Sequence, residues 1–234
     1  MNTKKIKGGK TSRQYRIIQR WIDLNDENEP LVLNNLYLEV IPQLPNNVKD
    51  LRINNNIIRV IKNLPQGLKH LFISNNDVRK IRELPNNLET LFISFNKIKT
   101  LPPLPATLQY LNIRNNRFTE LPELHDNIEE LICENNKLEN ISGLPAMLKV
   151  LKCSNNELRS LPDLPNNLEV LEVAYNHISD LPTIPTTLRT LNVKINDLDD
   201  EYDKKYNESM GEYIDRIINL QNNPPETEIS VNNI

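Results

Sequence analysis

The chain repeats itself every twenty residues, and this period limits its fold more than any other feature. Leucine recurs at Leu51, Leu71, Leu91, Leu111, Leu131, Leu151, Leu171 and Leu191 without insertion or deletion. Asparagine follows five residues later each time, at Asn56, Asn76, Asn96, Asn116, Asn136, Asn156, Asn176 and Asn196. Between them stand Ile53, Ile73, Ile93, Ile113, Cys133, Cys153, Val173 and Val193. An imperfect earlier unit begins at Leu31, with Leu36 where the asparagine belongs. The unit reads L-x-[IVC]-x-x-N-x-[IVLF]-x-x-[LI]-x-x-L-P-x-x-L, and strict self-similarity at this period is the signature of a solenoid.

Each part of the unit has a physical reading. Leu71-Phe72-Ile73 alternates with period two, so it is a short strand with its leucine and isoleucine turned inward. The chain must then turn, and an inward asparagine offers two donors and an acceptor to loop groups that no strand ladder covers. The return limb is rich in proline, as in Leu101-Pro102-Pro103-Leu104-Pro105. Proline fixes φ and donates no hydrogen bond, which favours an extended polyproline-like path over a helix. One unit cannot bury its own apolar face, so the units must stack. The expected fold is a repeat solenoid with a parallel concave sheet, an extended convex side and a helical cap at each end.

The unit resembles the leucine-rich repeat. Its 20-residue form, seen from Leu164-Pro165 through Leu171, Val173, Asn176 and Ile178, is similar to the bacterial effector subfamily of the Yersinia outer protein M and Shigella invasion-plasmid antigen H type. The resemblance covers about residues 13–200, and it implies an amphipathic helix before the opening repeat. Two departures stand out: His125 replaces a proline and Leu36 replaces the first asparagine. Ligases of that family carry a separate C-terminal domain with a nucleophilic cysteine, whereas residues 201–234 hold none. The resemblance therefore implies a recognition half alone, or an adaptor feeding a separate ubiquitin ligase. Asparagine makes up 36 of 234 residues, beside abundant Ile and Lys, which looks like translation of an AT-rich genome such as that of a giant virus of amoebae or an intracellular bacterium.

An open solenoid exposes an apolar end, so both termini need covers. Residues 1–11 read as a basic disordered arm and 12–30 as an N-terminal capping helix, with Ser12 as N-cap and Tyr15, Ile17, Ile18, Trp21, Ile22 and Leu24 as its apolar stripe. A membrane-surface helix is the alternative. Residues 31–200 form the solenoid, of about eight to nine units. A C-terminal capping helix is expected over 201–223, started by Asp199, Asp200, Glu201 and Asp203, striped by Tyr206, Met210, Tyr213, Ile214, Ile217 and Ile218, and stopped by Pro224 and Pro225. A partner-binding helix is the other reading of that stripe. Residues 224–234 read as a flexible tail. The formal charge of −3 hides a split: residues 1–20 carry seven cations and no acid, and 197–234 carry ten acids and three cations. The arm reads as solvated, with RNA, an anionic membrane or a transport receptor as alternative contacts.

Chemistry finds little support. Cys133 and Cys153 fall in the inward column and read as buried free thiols in a reducing cytoplasm. The histidines, His70, His125 and His177, lie in separate repeats without ligand spacing, and no C-x-x-C occurs, so neither metal nor cofactor is expected. No dyad places a base beside a nucleophile, and the expectation is a non-enzyme. The sequons at Asn140 and Asn207 are taken as chance. With no secretory h-region and no apolar run near the length of a membrane span, the expected setting is the cytoplasm of the producing or host cell.

What remains is binding. The residues flanking each strand leucine face outward from the concave sheet, and the fold does not need them. Phe72, Phe92, Phe95 and Tyr110 are expected to cluster over adjacent repeats, with Ile132, Val150, Val170 and Tyr175 extending the patch. Exposed aromatic patches mark interaction sites, although strands also favour such residues for packing along the sheet. Arg52, Arg114, Glu130, Glu134, Lys152, Glu172 and Lys194 mix both signs, so a protein rather than nucleic acid suits this face. The reading is a protein-interaction module, with a self-associating assembly component as alternative.

Overall fold

The computed structural model describes residues 13–24, 26–205 and 207–223. The basic arm, Ser12, Tyr206 and the tail beyond Asn223 lie outside them. A helix, α1 (Arg13–Leu24), leads into short strands β1 (Leu31–Val32), β2 (Asp50–Arg52), β3 (Val60–Ile61), β4 (His70–Phe72), β5 (Lys80–Ile81) and β6 (Thr90–Phe92). Then follow β7 (Tyr110–Asn112), β8 (Glu130–Ile132), β9 (Val150–Lys152), β10 (Val170–Glu172), β11 (Thr190–Asn192) and a closing helix α2 (Met210–Asn222).

Nine of these strands form one parallel sheet in the order β1-β2-β4-β6-β7-β8-β9-β10-β11. Residue i pairs with residue i+20 throughout, as in Leu71 with Leu91 and Leu91 with Leu111. A one-residue slip would turn every inward leucine outward, so core burial enforces this register. The strand leucines, the following Ile, Val or Cys, and the residue two after each repeat asparagine from Ile58 to Ile178 line one continuous core, most of them fully buried. Hydrogen bonds continue past the strands, with Ile73 N donating to Phe92 O at 2.8 Å and Asn75 N to Ser94 O at 3.0 Å. The molecule is a leucine-lined solenoid with no helix on its outer limb.

That limb turns where proline predicts. The amide of Leu108 donates to Pro105 O at 3.0 Å, and the same turn recurs at Leu68, Leu88, Leu148, Leu168 and Leu188. His125 makes the equivalent turn, accepting from Ile128 N at 3.2 Å, while its Nε2 sits 2.9 Å from Leu104 O. The repeat pattern does not foretell one outer feature: β3 and β5 pair as a separate two-stranded sheet. Arg82 N donates to Ile61 O at 3.1 Å there. The next coil has Pro102 at the corresponding place, which has no amide hydrogen to extend the pairing.

Each asparagine amide ties two coils together. Asn76 Nδ2 reaches the carbonyls of Ile53, Ile73 and Ser74 at 3.1 to 3.3 Å, and its Oδ1 accepts from Ile58 N at 3.1 Å. Asn56 serves the imperfect first coil, where its Oδ1 accepts from both Leu36 N and Leu38 N. Five of the eight amides lie in residues that are buried. A buried amide without partners would cost the solenoid dearly, and no buried side-chain nitrogen or oxygen among the described residues lacks one.

The sheet ends are covered. Helix α1 packs on β1 through Ile18 and Trp21, whose Nε1 donates to Glu29 O at 2.8 Å, while Ile22 and Leu24 stay exposed. Helix α2 packs on β11 through Tyr213, Ile214 and Ile217. Its start differs from expectation. Asp200–Tyr202 forms a single 3₁₀ turn, and the helix begins only after Ser209, whose hydroxyl accepts from Glu212 N while Glu212 accepts from Ser209 N. This reciprocal box outweighs a run of acids, because it satisfies two orphan amides directly.

The cysteines also differ from expectation. Cys133 and Cys153 are joined as a disulfide instead of remaining free thiols. Both are fully buried in one inward column, and neighbouring strands hold their Cα atoms 4.9 Å apart, inside the usual bridging range.

Candidate functional site

The outward side chains of the concave sheet fall into two columns. Strand register sets Arg52 beside Phe72, Phe72 beside Phe92, Phe92 beside Asn112, Asn112 beside Ile132 and Ile132 beside Lys152. In the other column Thr90 and Glu130 flank Tyr110, and Val150 pairs with Val170.

Aromatic side chains meet at one point. The rings of Phe72 and Phe92 stand 5.2 Å apart at 80°, an edge-to-face pair, and the Arg52 guanidinium lies 5.3 Å from the Phe72 ring centroid. Asp50 holds that guanidinium at 3.0 Å, and the hydrogen bond raises the arginine pKa further. The result is a fixed file of carboxylate, guanidinium and two rings on three neighbouring strands. Both rings are only half-buried, so each keeps an unpartnered side toward solvent.

The rest of the expected cluster is broken up. Tyr110 is 37% exposed between polar neighbours. Asn112 separates Phe92 from Ile132, and Lys152, ion-paired to Glu172 at 3.0 Å, closes that column. Phe95 and Tyr175 are not on strands at all. They occupy equivalent turn positions four coils apart, with φ of 53° and 57°.

That turn column was not recognised as special in the sequence. Asn35, Asn55, Asn75, Asn115, Asn135 and Asn155 share the left-handed conformation with Phe95, Tyr175 and Ile195. Asparagine tolerates it because its short side chain bonds locally, so a second asparagine column was the available signal. At Phe95, Tyr175 and Ile195 the side chains are 51%, 53% and 64% exposed, and a branched or bulky residue is strained there. Packing does not explain them.

Among the described residues, no three His, Cys, Asp or Glu side chains are grouped so as to hold a metal ion, and no helix is long and apolar enough to cross a membrane.

The Leucine Rich Repeat family model matches residues 107–126. YopM of Yersinia enterocolitica superposes with a TM-score of 0.76 at 30% identity, over 82% of this chain and 44% of that one. The chain is a leucine-rich repeat protein. YopM of Yersinia pestis, described as a leucine-rich effector protein, aligns with a TM-score of 0.64 at 29% identity over 81% of this chain and 67% of its own. A Shigella effector leucine-rich repeat domain shares the fold at 21% identity, with a TM-score of 0.58 over 95% of this chain and 88% of that one. This leucine-rich repeat chain thus resembles the effector subfamily and spans less than half of the first of these relatives. No curated protein sequence matches it significantly.

Proposed function

We propose that this leucine-rich repeat protein is a non-enzymatic interaction module that binds a protein partner on its concave face. The observation that supports this reading is the Arg52, Phe72 and Phe92 file. Rigid aromatic side chains lose little entropy on binding and serve as anchors, and an arginine already held by Asp50 is oriented before the partner arrives. Salt bridges near the same face, such as Arg114 with Glu134 at 3.2 Å, would favour a partner of matching charge.

The test compares affinity capture by wild type and by Phe72→Ala/Phe92→Ala from cells of the candidate host. The reading expects specific proteins retained by wild type and lost by the variant, with thermal unfolding little changed. An identical captured set, or equal loss of folding and capture, contradicts a dedicated concave site.

A further inference from the structure

Charge on this surface follows the same period as the fold. Among the described residues, six ion pairs join positions twenty apart, including Lys69 with Glu89, Asp77 with Lys97, Glu129 with Lys149 and Lys152 with Glu172. Adjacent coils stack side chains about 5 Å apart, so opposite charges in one column attract and like charges repel.

Two columns on one flank depart from this rule, although Asp77 and Lys97 on the same flank obey it. The flank is the stretch that follows each repeat asparagine, and it is hydrogen-bonded coil to coil, from Arg79 N to Arg59 O through Asp197 N to Ile178 O. Here Arg59, Arg79 and Lys99 share one column and Lys62 and Arg82 another, all five exposed and none ion-paired among the described residues. Asp77, the acid set among them, is bonded to Lys97, and Arg59 and Arg79 also stabilise its charge, so one acid faces five cations beside its own partner. Such a stack asks for negative charge from outside the chain.

The same flank carries that charge at its other end. Asp180 lies one repeat period before Asp200 in the sequence, and Asp199, Asp200, Glu201 and Asp203 lie at the 3₁₀ turn that ends the solenoid, all five exposed. Arg216 leaves these carboxylates free, because it bonds the carbonyls of Glu201 and Asp203 and the carboxylate of Glu208. Arg79 and Asp199 are six repeat periods apart in the sequence, a span of about 29 Å at ordinary strand spacing. Midway lies the stretch 137–143, which carries one cation and one acid and ends in Ser142-Gly143, the glycine having open space where a side chain would stand. A two-fold axis through this midpoint would lay each basic stack on the acidic group of the other copy, an isologous contact that closes on itself.

We propose that this flank is a homodimer interface, in which two copies lie antiparallel with the Arg79 stack of each against the acids around Asp200 of the other. The contact uses none of the concave anchors and leaves that face open, so it stands or falls apart from the function proposed above.

Sedimentation of the full chain tests it, at about 50 mM and about 500 mM salt, either side of the range in which exposed charges become screened. The expected result is a dimer whose dissociation constant rises at least about tenfold at the higher salt. Arg79→Glu/Arg82→Glu and Asp199→Lys/Asp200→Lys should each be monomeric alone while keeping the wild-type circular dichroism and melting temperature. Mixed together they should pair, since one then carries acids at both ends of the flank and the other bases at both. A wild type that stays monomeric at low salt, a dimer that survives both reversals, or a mixture that fails to pair would overturn the proposal. So would binding of anionic vesicles or a single-stranded oligonucleotide by a monomeric chain, lost only with Arg79→Glu/Arg82→Glu.

Discussion

The side chain of Asn116 donates to the carbonyl of Ile93, which lies 23 residues earlier on the preceding coil, at 3.0 Å. The same nitrogen reaches Ile113 O at 3.0 Å, and Oδ1 accepts from Ile98 N at 3.1 Å. One amide therefore closes the turn of its own coil and fastens it to the coil before.

Replacing Asn116 with alanine should destabilise the fold by about 1 to 3 kcal/mol, because the backbone groups it serves lose their partners. Leu111→Ala, at a position 1% exposed, should cost about 2 to 5 kcal/mol through the cavity it leaves. Urea unfolding measures both. A change within error for Asn116→Ala would remove the amide ladder from the account of stability.

Ile195→Asn should stabilise the protein, by about 1 kcal/mol, because asparagine accepts the left-handed backbone that a β-branched residue resists. Phe95→Asn and Tyr175→Asn should shift the melting temperature in the same direction, by less. A lower melting temperature in all three would show that these side chains contribute packing that their exposure conceals.

Acid should loosen the C-terminal cap. Arg216 bonds both carboxylate oxygens of Glu208, at 2.7 and 3.0 Å, and holds the carboxyl down to about 2 from its ordinary 4.5. A carboxyl depressed by folding contributes stability above its unfolded pKa, and that contribution drains away as pH falls from about 4.5 through about 2. Helix content followed down this window should fall later in Glu208→Gln than in wild type, relative to each variant's neutral-pH stability. Superimposable acid profiles would refute the linkage.

Alkali should act on the same helix from the other side. Burial raises the Tyr213 phenol to about 12, and its hydroxyl donates to Tyr202 O at 2.7 Å. The neutral form is thus favoured by folding, and the stability it lends is present below pH 10 and lost as pH rises through about 12. Burial raises Tyr202 as well, so ultraviolet titration should show late tyrosinates of which the last disappears in Tyr213→Phe. If the variant titrates like wild type, another tyrosine is the late one.

The solenoid was legible in the sequence because its core demand recurs unchanged: a leucine at every twentieth position admits one register and one inward face. Features set by single residues were harder to read. The β3 and β5 pairing depends on whether residue 82 or 102 has an amide hydrogen, a difference hidden when both count as the same repeat position. The left-handed turns were written in Asn55, Asn75 and their equivalents, but asparagine serves equally as a buried hydrogen-bonding amide, so the residue type alone does not mark the turn. Column membership placed Phe72 beside Phe92, whereas Phe95 needed the backbone path to show that it stands on a turn. The acids at Asp199 and Asp200 looked like a helix start because charge preference is weaker than the hydroxyl cap at Ser209. The one-repeat spacing of Cys133 and Cys153 already implied Cα atoms within bridging range, and only the in-register Cβ spacing and an assumed reducing compartment argued for free thiols.

The constancy of the coil also has a mechanical side. Each coil is held only by its neighbours, so a pull on the chain ends would peel coils off one after another instead of breaking a single core. Every release would add the same slack, about 70 Å for twenty extended residues. Between Cys133 and Cys153 the covalent bridge would withhold one such increment. A force trace of this protein would read as an evenly ruled scale with one division missing.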